Sequence, residues 1–188
     1  MQIGFYFNQT RCTGCYTCVV ACKDWHDIPA GPASWIRVSA VEKGRFPKPR
    51  LSYLFTSCWH CLSPVCAAVC PSKAITKREA DGIVVVDRDA CIGGEKCKFA
   101  CLKACRYHAP QFSAQPNPKM QKCDLCVDRR ADNKKPVCVE SCPMRALDVG
   151  ALNELKGKYG DIQKADGFVY VKRMRPSVIF TPKPVQDD

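Results

Sequence analysis

The sixteen cysteines of this 188-residue chain fall into four groups of four, and no other feature limits so sharply what it can fold into. The first group, Cys12, Cys15, Cys18 and Cys22, has the spacing C-x2-C-x2-C-x3-C. The second is Cys58, Cys61, Cys66 and Cys70, and the fourth is Cys123, Cys126, Cys138 and Cys142. Both open C-x2-C, close C-x3-C and are followed by proline. The third, Cys91, Cys97, Cys101 and Cys105, keeps the closing C-x3-C, but Gly94 stands where the first group has its second cysteine. Three thiolates so near in sequence can wrap one metal centre from a single loop. The fourth, a helical turn further on, projects away from it toward a second centre.

Iron–sulfur cubanes fit this pattern best. In bacterial ferredoxins the fourth cysteine of such a run ligates the other cluster of a pair. Disulfides tolerate almost any spacing and have no need of repeated groups. Structural zinc prefers two separated C-x2-C pairs, a form that only the fourth group approaches. Under the ferredoxin rule the outer groups exchange their last cysteines, and so do the inner ones. Cluster 1 is then held by Cys12, Cys15, Cys18 and Cys142, and cluster 2 by Cys22, Cys123, Cys126 and Cys138. Cluster 3 takes Cys58, Cys61, Cys66 and Cys105, and cluster 4 takes Cys70, Cys91, Cys97 and Cys101. Four [4Fe–4S] clusters are expected, the one at the Gly94 loop being either [4Fe–4S] or [3Fe–4S].

The segments between the groups repeat as well. IGFYFNQTRC and GIVVVDRDAC each lead into a cysteine loop, and CPSKAI and CPMRAL each leave one. Such echoes imply repeated units. Strands are expected over residues 3–7, 35–41, 51–55, 83–86 and 168–172, and helices over 19–24 and 152–158. A helix stub is expected after Cys70, with a turn at Asp81-Gly82. The charged stretch 127–137 reads as a surface loop. The expected fold class is α+β, with two bacterial-ferredoxin-like dicluster lobes, loop insertions and a C-terminal extension. Residues 1–28 and 117–150 make the first lobe and 51–116 the second. Residues 29–50 are an insertion, and 151–188 an extension that binds a partner, with a disordered terminus as the alternative.

The formal net charge of +11 would suit nucleic acid, but it counts every cysteine as neutral. Each cubane with its four thiolates carries roughly −2, which brings the loaded chain to about +3. The basic surplus therefore reads as compensation for buried cluster charge. His26, His60 and His108 read as structural residues, and Trp25, Trp35 and Trp59 as core or cluster shielding. No phosphate-binding loop, dinucleotide fingerprint or nucleophile–base set is visible, so no catalytic residue is assigned. The N-terminus lacks a basic leader region, and no stretch approaches a membrane span. A cytoplasmic or membrane-peripheral place is expected, with export alongside a partner left open.

The stretches CTGCYTCVVACKDWHD, CPSKAITKREADGIVVVDRDACIG, KCDLCVDR and KKPVCVESCPMRALDVG closely resemble a known family. It is the four-cluster iron–sulfur subunit of the dimethyl sulfoxide reductase group of molybdenum and tungsten enzymes. The resemblance covers roughly residues 3–150. It implies a non-catalytic electron-transfer subunit of anaerobic respiration. Its partners would be a large molybdopterin- or tungstopterin-containing catalytic subunit and a membrane anchor or soluble redox carrier. It also implies that the lobe of the first and fourth groups faces the catalytic subunit. At the position of Gly94, nitrate reductase-like members carry Trp beside a [3Fe–4S] cluster, and dimethyl sulfoxide reductase-like members carry Cys. The other function class weighed is a free-standing polyferredoxin-like carrier serving a hydrogenase or formate–hydrogen system.

With a modest apolar core, ligation is expected to supply much of the folding free energy. Native protein purified without oxygen should hold about sixteen iron atoms per chain with equal sulfide. Metal analysis finding zinc in place of iron would reject the iron–sulfur reading.

Overall fold

The computed structural model describes residues 1–184. The elements run β1 (Ile3–Asn8), α1 (Thr17–Trp25), β2 (Arg37–Lys43), β3 (Arg50–Thr56), α2 (Val65–Ala68), β4 (Ile75–Lys77) and β5 (Val84–Val86). They continue with α3 (Ala100–Ala104), α4 (Val127–Ala131), α5 (Val137–Glu140), β6 (Leu147–Ala151), α6 (Leu152–Tyr159) and β7 (Val178–Thr181).

The repeated segments become paired strands. β1, before the first cysteine group, runs antiparallel to β6, after the fourth, with Phe5 opposite Val149. β5, before the third group, runs antiparallel to β4, after the second, with Ile75 opposite Val86. The helices follow the same plan, since α1 packs on α5 and α2 on α3. Residues 29–50 carry most of the β2–β3 hairpin, whose register sets Val38 opposite Phe55.

Apolar residues on β1, β3 and β7 meet in an aromatic core between the cysteine groups. Phe5 lies 5.6 Å from Phe55 and 5.8 Å from Trp59, and Trp59 lies 6.2 Å from Phe180. Phe168 joins them, 4.6 Å from Phe180 and stacked 5.5 Å from Tyr107. Such tilted and offset pairs suit the aromatic quadrupole.

Three sequence expectations are corrected. The stretch after Cys70 contains the short strand β4, not a helix stub, because Ile75 and Thr76 are β-formers whose backbone pairs with β5. Residues 127–137 are not all loop, since α4 and the start of α5 occupy both ends. No strand forms over 168–172; the strand of this region is β7, added parallel to β1. Phe168 instead turns its ring into the aromatic core. Asp166 fixes the preceding loop to the hairpin, accepting from Lys43, Arg50 and the Ser52 hydroxyl. The described part of the extension thus closes the protein's own sheet. The disordered alternative falls on residues that include 185–188, which lie outside the described set.

Phe180 is fully buried, and its replacement by Ala should cost about 3–5 kcal/mol. A Cβ on Gly4 would stand 2.6 Å from the Ser177 carbonyl oxygen, so Gly4→Val should push β7 off β1. Both variants should lower the thermal midpoint of the cluster-loaded chain. An unchanged midpoint would show that β7 contributes little.

Candidate iron–sulfur sites

All sixteen cysteines are free thiols, and the fold gathers them from distant parts of the chain. Cys12, Cys15, Cys18 and Cys142 line one cavity of about 370 Å³, open mouth included, closed by Phe7, Phe55 and Leu147. Cys70, Cys91, Cys97 and Cys101 line a second of about 330 Å³ with Ile75, Val86 and Met120. The other two sets are more deeply buried. Ionisation of Cys22 is opposed by burial and then by Cys123 and Cys126, and that of Cys138 by burial and then by Cys123, Cys126 and Cys22. Likewise Cys61 is opposed by burial and then by Cys58, Cys105 and Cys66.

Each C-x3-C spans about one helical turn, a rise of about 6 Å, and under the expected ligand sets would link two of them. α1 bears Cys18 and Cys22, while α5 bears Cys138 and ends just before Cys142. α2 bears Cys66 just before Cys70, and α3 bears Cys101 and ends at Cys105. Thiols of neighbouring sets also act on one another: Cys18 on Cys22 and Cys138, and Cys58 on Cys123.

The donor chemistry fits iron–sulfur clusters. Burial and mutual repulsion push Cys18 up to about 12, as burial and Cys58 do first for Cys66 and Cys123. Burial does most to lift Cys101 and Cys126 to about 11. A thiolate is the ligand form, so a bound metal must displace these protons. Backbone amides already point at the sulfurs: the Leu125 N–H donates to Cys123 Sγ at 3.4 Å and the Ala146 N–H to Cys142 Sγ at 3.3 Å. Tyr16, Phe99 and Cys126 adopt left-handed backbone conformations immediately before α1, α3 and α4. Such turns form amide concavities that suit anionic clusters. Trp59 Nε1 and Ser141 Oγ, beside Cys58 and Cys142, are buried without a partner among the described residues. Bound sulfide would give these orphaned groups an acceptor.

At the irregular third group, the Phe99 ring occupies the room that a second cysteine would need. A Cβ on Gly94 would run into that ring. Phe112 braces it edge-to-face at 4.8 Å. Cys97 instead lines the cavity, its thiol 3.5 Å from the Gly94 carbonyl oxygen.

Charged residues around the inner sets were not singled out in the sequence. The Lys122 ammonium is buried and donates to the carbonyls of Val84 and Cys123. Lys77 donates to the carbonyls of Cys61 and Leu62, and Arg37 to those of Tyr107 and His108. A lysine before a cysteine carries no signal of burial in sequence, so these roles needed the fold. After burial, Asp124 and Asp128 both oppose ionisation of Cys126. His26 Nε2 lies 3.3 Å from Cys126 Sγ. His60 is fully buried and stays neutral, mainly through burial and the charge of Lys122. Its Nδ1 accepts from the Val84 N–H at 3.0 Å. The His108 carbonyl serves Arg37. Trp25 donates to Asp128 and Trp35 to Gln121, while Trp59 sits in the aromatic core.

Two families described as 4Fe-4S dicluster domains match residues 50–152 and 11–74. One chain of the anaerobic dimethyl sulfoxide reductase of Escherichia coli (strain K12) is 43% identical, with 96% of this chain and 89% of the relative covered. One subunit of the sulfite dehydrogenase of Allochromatium vinosum is 37% identical over 81% of this chain and 70% of the relative. The thiosulfate reductase electron transfer subunit PhsB of Salmonella typhi is 37% identical over 78% of this chain and 74% of the relative.

Replacing Cys97 by Ser should cost one iron, leaving about fifteen and the EPR signal of an oxidised [3Fe–4S] cluster. Adding Gly94→Cys to that variant should not restore the iron, because Phe99 blocks the position. Restoration by the added Gly94→Cys would show that the loop is not braced as described.

Proposed function

This protein belongs to the 4Fe-4S dicluster family, alongside its relative in the anaerobic dimethyl sulfoxide reductase of Escherichia coli, and on that premise we propose how its residues carry electrons. It is an electron-transfer subunit with four [4Fe–4S] clusters, in a complex whose catalytic subunit carries a molybdopterin- or tungstopterin-type cofactor. The other end of the relay is a membrane anchor or a soluble redox carrier. Among the described residues no helix is long and apolar enough to cross a membrane, so membrane attachment would come from a partner.

The observation that carries this reading is that neighbouring cysteine sets share helices. With the ligand sets proposed, the C-x3-C turns join set 1 to set 2 and set 3 to set 4, and the action of Cys58 on Cys123 supports placing set 3 next to set 2, in the order 1-2-3-4. The ligand sets proposed are those named from the spacing. Their support is the lining of the two cavities and the mutual repulsion within the buried sets. The clusters supply reversible one-electron chemistry when bound. The protein's own side chains exclude water, as Phe7, Phe55 and Trp59 do, and amide donors hold the sulfurs in place.

The division into two ferredoxin-like lobes, over 1–28 with 117–150 and over 51–116, is supported by the matched strand and helix pairs. The lobe of sets 1 and 2 would face the catalytic subunit. Cys15, Tyr16 and Met144 are exposed at the first cavity, and Val20 is exposed on α1 between Cys18 and Cys22, an apolar surface suited to a protein partner. On the extension, exposed Ile162 and Val169 are left for a partner.

Anaerobic purification through a mild tag should recover a large second chain with molybdenum or tungsten. Iron without either metal or a large partner would favour a free carrier. Val20→Asp should weaken that association at least about tenfold, roughly 1.4 kcal/mol, with the iron content kept. Undiminished co-purification would move the catalytic interface elsewhere.

A further inference from the structure

Most buried or half-buried ion pairs in this protein follow the ordinary rule. Asp166 serves Lys43 and Arg50, Asp148 serves Lys135 and Lys158, and Glu140 serves Arg129. Lys122, Lys77 and Arg37 break that rule. Each donates only to backbone carbonyls, and among the described residues none has a carboxylate within 4.0 Å. Lys122 is nevertheless 2% exposed. A buried ammonium without a counter-charge is costly, and two carbonyl dipoles do not neutralise it.

All three converge on one cysteine set. Lys77 is bonded to the carbonyl of Cys61 itself. Arg37 is bonded to the carbonyls of Tyr107 and His108, just past Cys105. Lys122 holds the carbonyl of Val84, whose N–H is bound by His60, the neighbour of Cys61. His60 Nδ1 is occupied as an acceptor of the Val84 N–H.

We propose that Lys122, Lys77 and Arg37 are positioning residues that set the redox level of one cluster, raising the reduction potential of the cluster held by Cys58, Cys61, Cys66 and Cys105. The proposal rests on the ligand assignment made for that set. Reduction adds one electron and no proton, so the cluster with its thiolates gains one unit of negative charge. The electron comes from the neighbouring member of the relay. Fixed cations in a low-dielectric interior stabilise the reduced form more than the oxidised one. The carbonyl bonds hold those cations in place, and among the described residues no carboxylate pairs with them.

The test is EPR-monitored redox titration of the cluster-loaded full chain at one pH and ionic strength. The midpoint altered in a Cys61→Ser variant identifies the cluster concerned. Lys122→Met should lower that midpoint by at least about 59 mV, a tenfold change in a one-electron equilibrium. Because Lys122 also holds the Cys123 carbonyl, the adjacent midpoint should fall with it. Lys77→Gln and Arg37→Gln should each lower only the first midpoint, by less, and Lys122→Arg should largely preserve it. Lys43→Met, which removes a distant paired cation, should move none. Variants with full iron and unmoved midpoints would overturn the proposal. If Lys122→Met fails to load iron, the Lys77 and Arg37 variants decide. Absence of iron–sulfur signals in the unaltered protein would instead reject the functional reading on which the proposal stands.

Discussion

Sulfur must be charged to bind iron, yet most of the sulfurs here are buried, and that tension governs the rest of the structure. Burying four thiolates together is prohibitive unless something positive joins them. The raised thiol pKa values of Cys18, Cys66 and Cys123 express that cost in the metal-free chain. Iron removes it, and inward-turned amides reduce it further. Left-handed residues before the helices, amide-to-sulfur bonds and carbonyl-anchored cations all answer the same demand. The aromatic core then has a narrow task, which is to keep water from the inner sets and to space them.

Repetition explains why so few kinds of element suffice. One unit, a strand and a short helix flanking a cysteine loop, recurs along the chain and pairs with its counterpart. β1 with β6 and β5 with β4 are the same device used twice. The helix pairs α1 with α5 and α2 with α3 follow from it, because each must present a C-x3-C to both members of a pair. Departures from the repeat mark where the chain does something particular. Phe99 takes the place of a cysteine in one loop, and β7 extends only the outer sheet.

Much of this was legible in the sequence, because thiol spacing is a local and demanding signal. The proposed grouping of cysteines came from the ferredoxin spacing, and two of the four groups line cavities together. The strands at 3–7 and 51–55 and the helix near 152–158 could be read from periodicity and β-branching. What could not be read depended on tertiary context. Residues 168–172 look like a strand, but Phe168 is drawn into the aromatic core and the pairing passes to Val178–Thr181. Ile75 and Thr76 looked like the tail of a helix until β5 supplied a partner. The burial of Lys122 in particular could not be read, because nothing local marks a side chain that meets a strand from about forty residues earlier.

The proposed nesting of two lobes has a consequence in time. Residues 51–116 hold all eight cysteines proposed for sets 3 and 4. They can be complete while the chain is still emerging from the ribosome. The outer pair must wait, because Cys12 to Cys22 find their counterparts only after Cys142 has been made, and β1 gains its last neighbour only with Val178–Thr181. Cofactor insertion would therefore proceed from the middle of the chain outward, with the set nearest the proposed catalytic interface among the last to be filled. A nascent chain stalled before Cys142 would expose the thiols of the first group, and the machinery that delivers iron and sulfide would have to tolerate or shield them until the sheet closes.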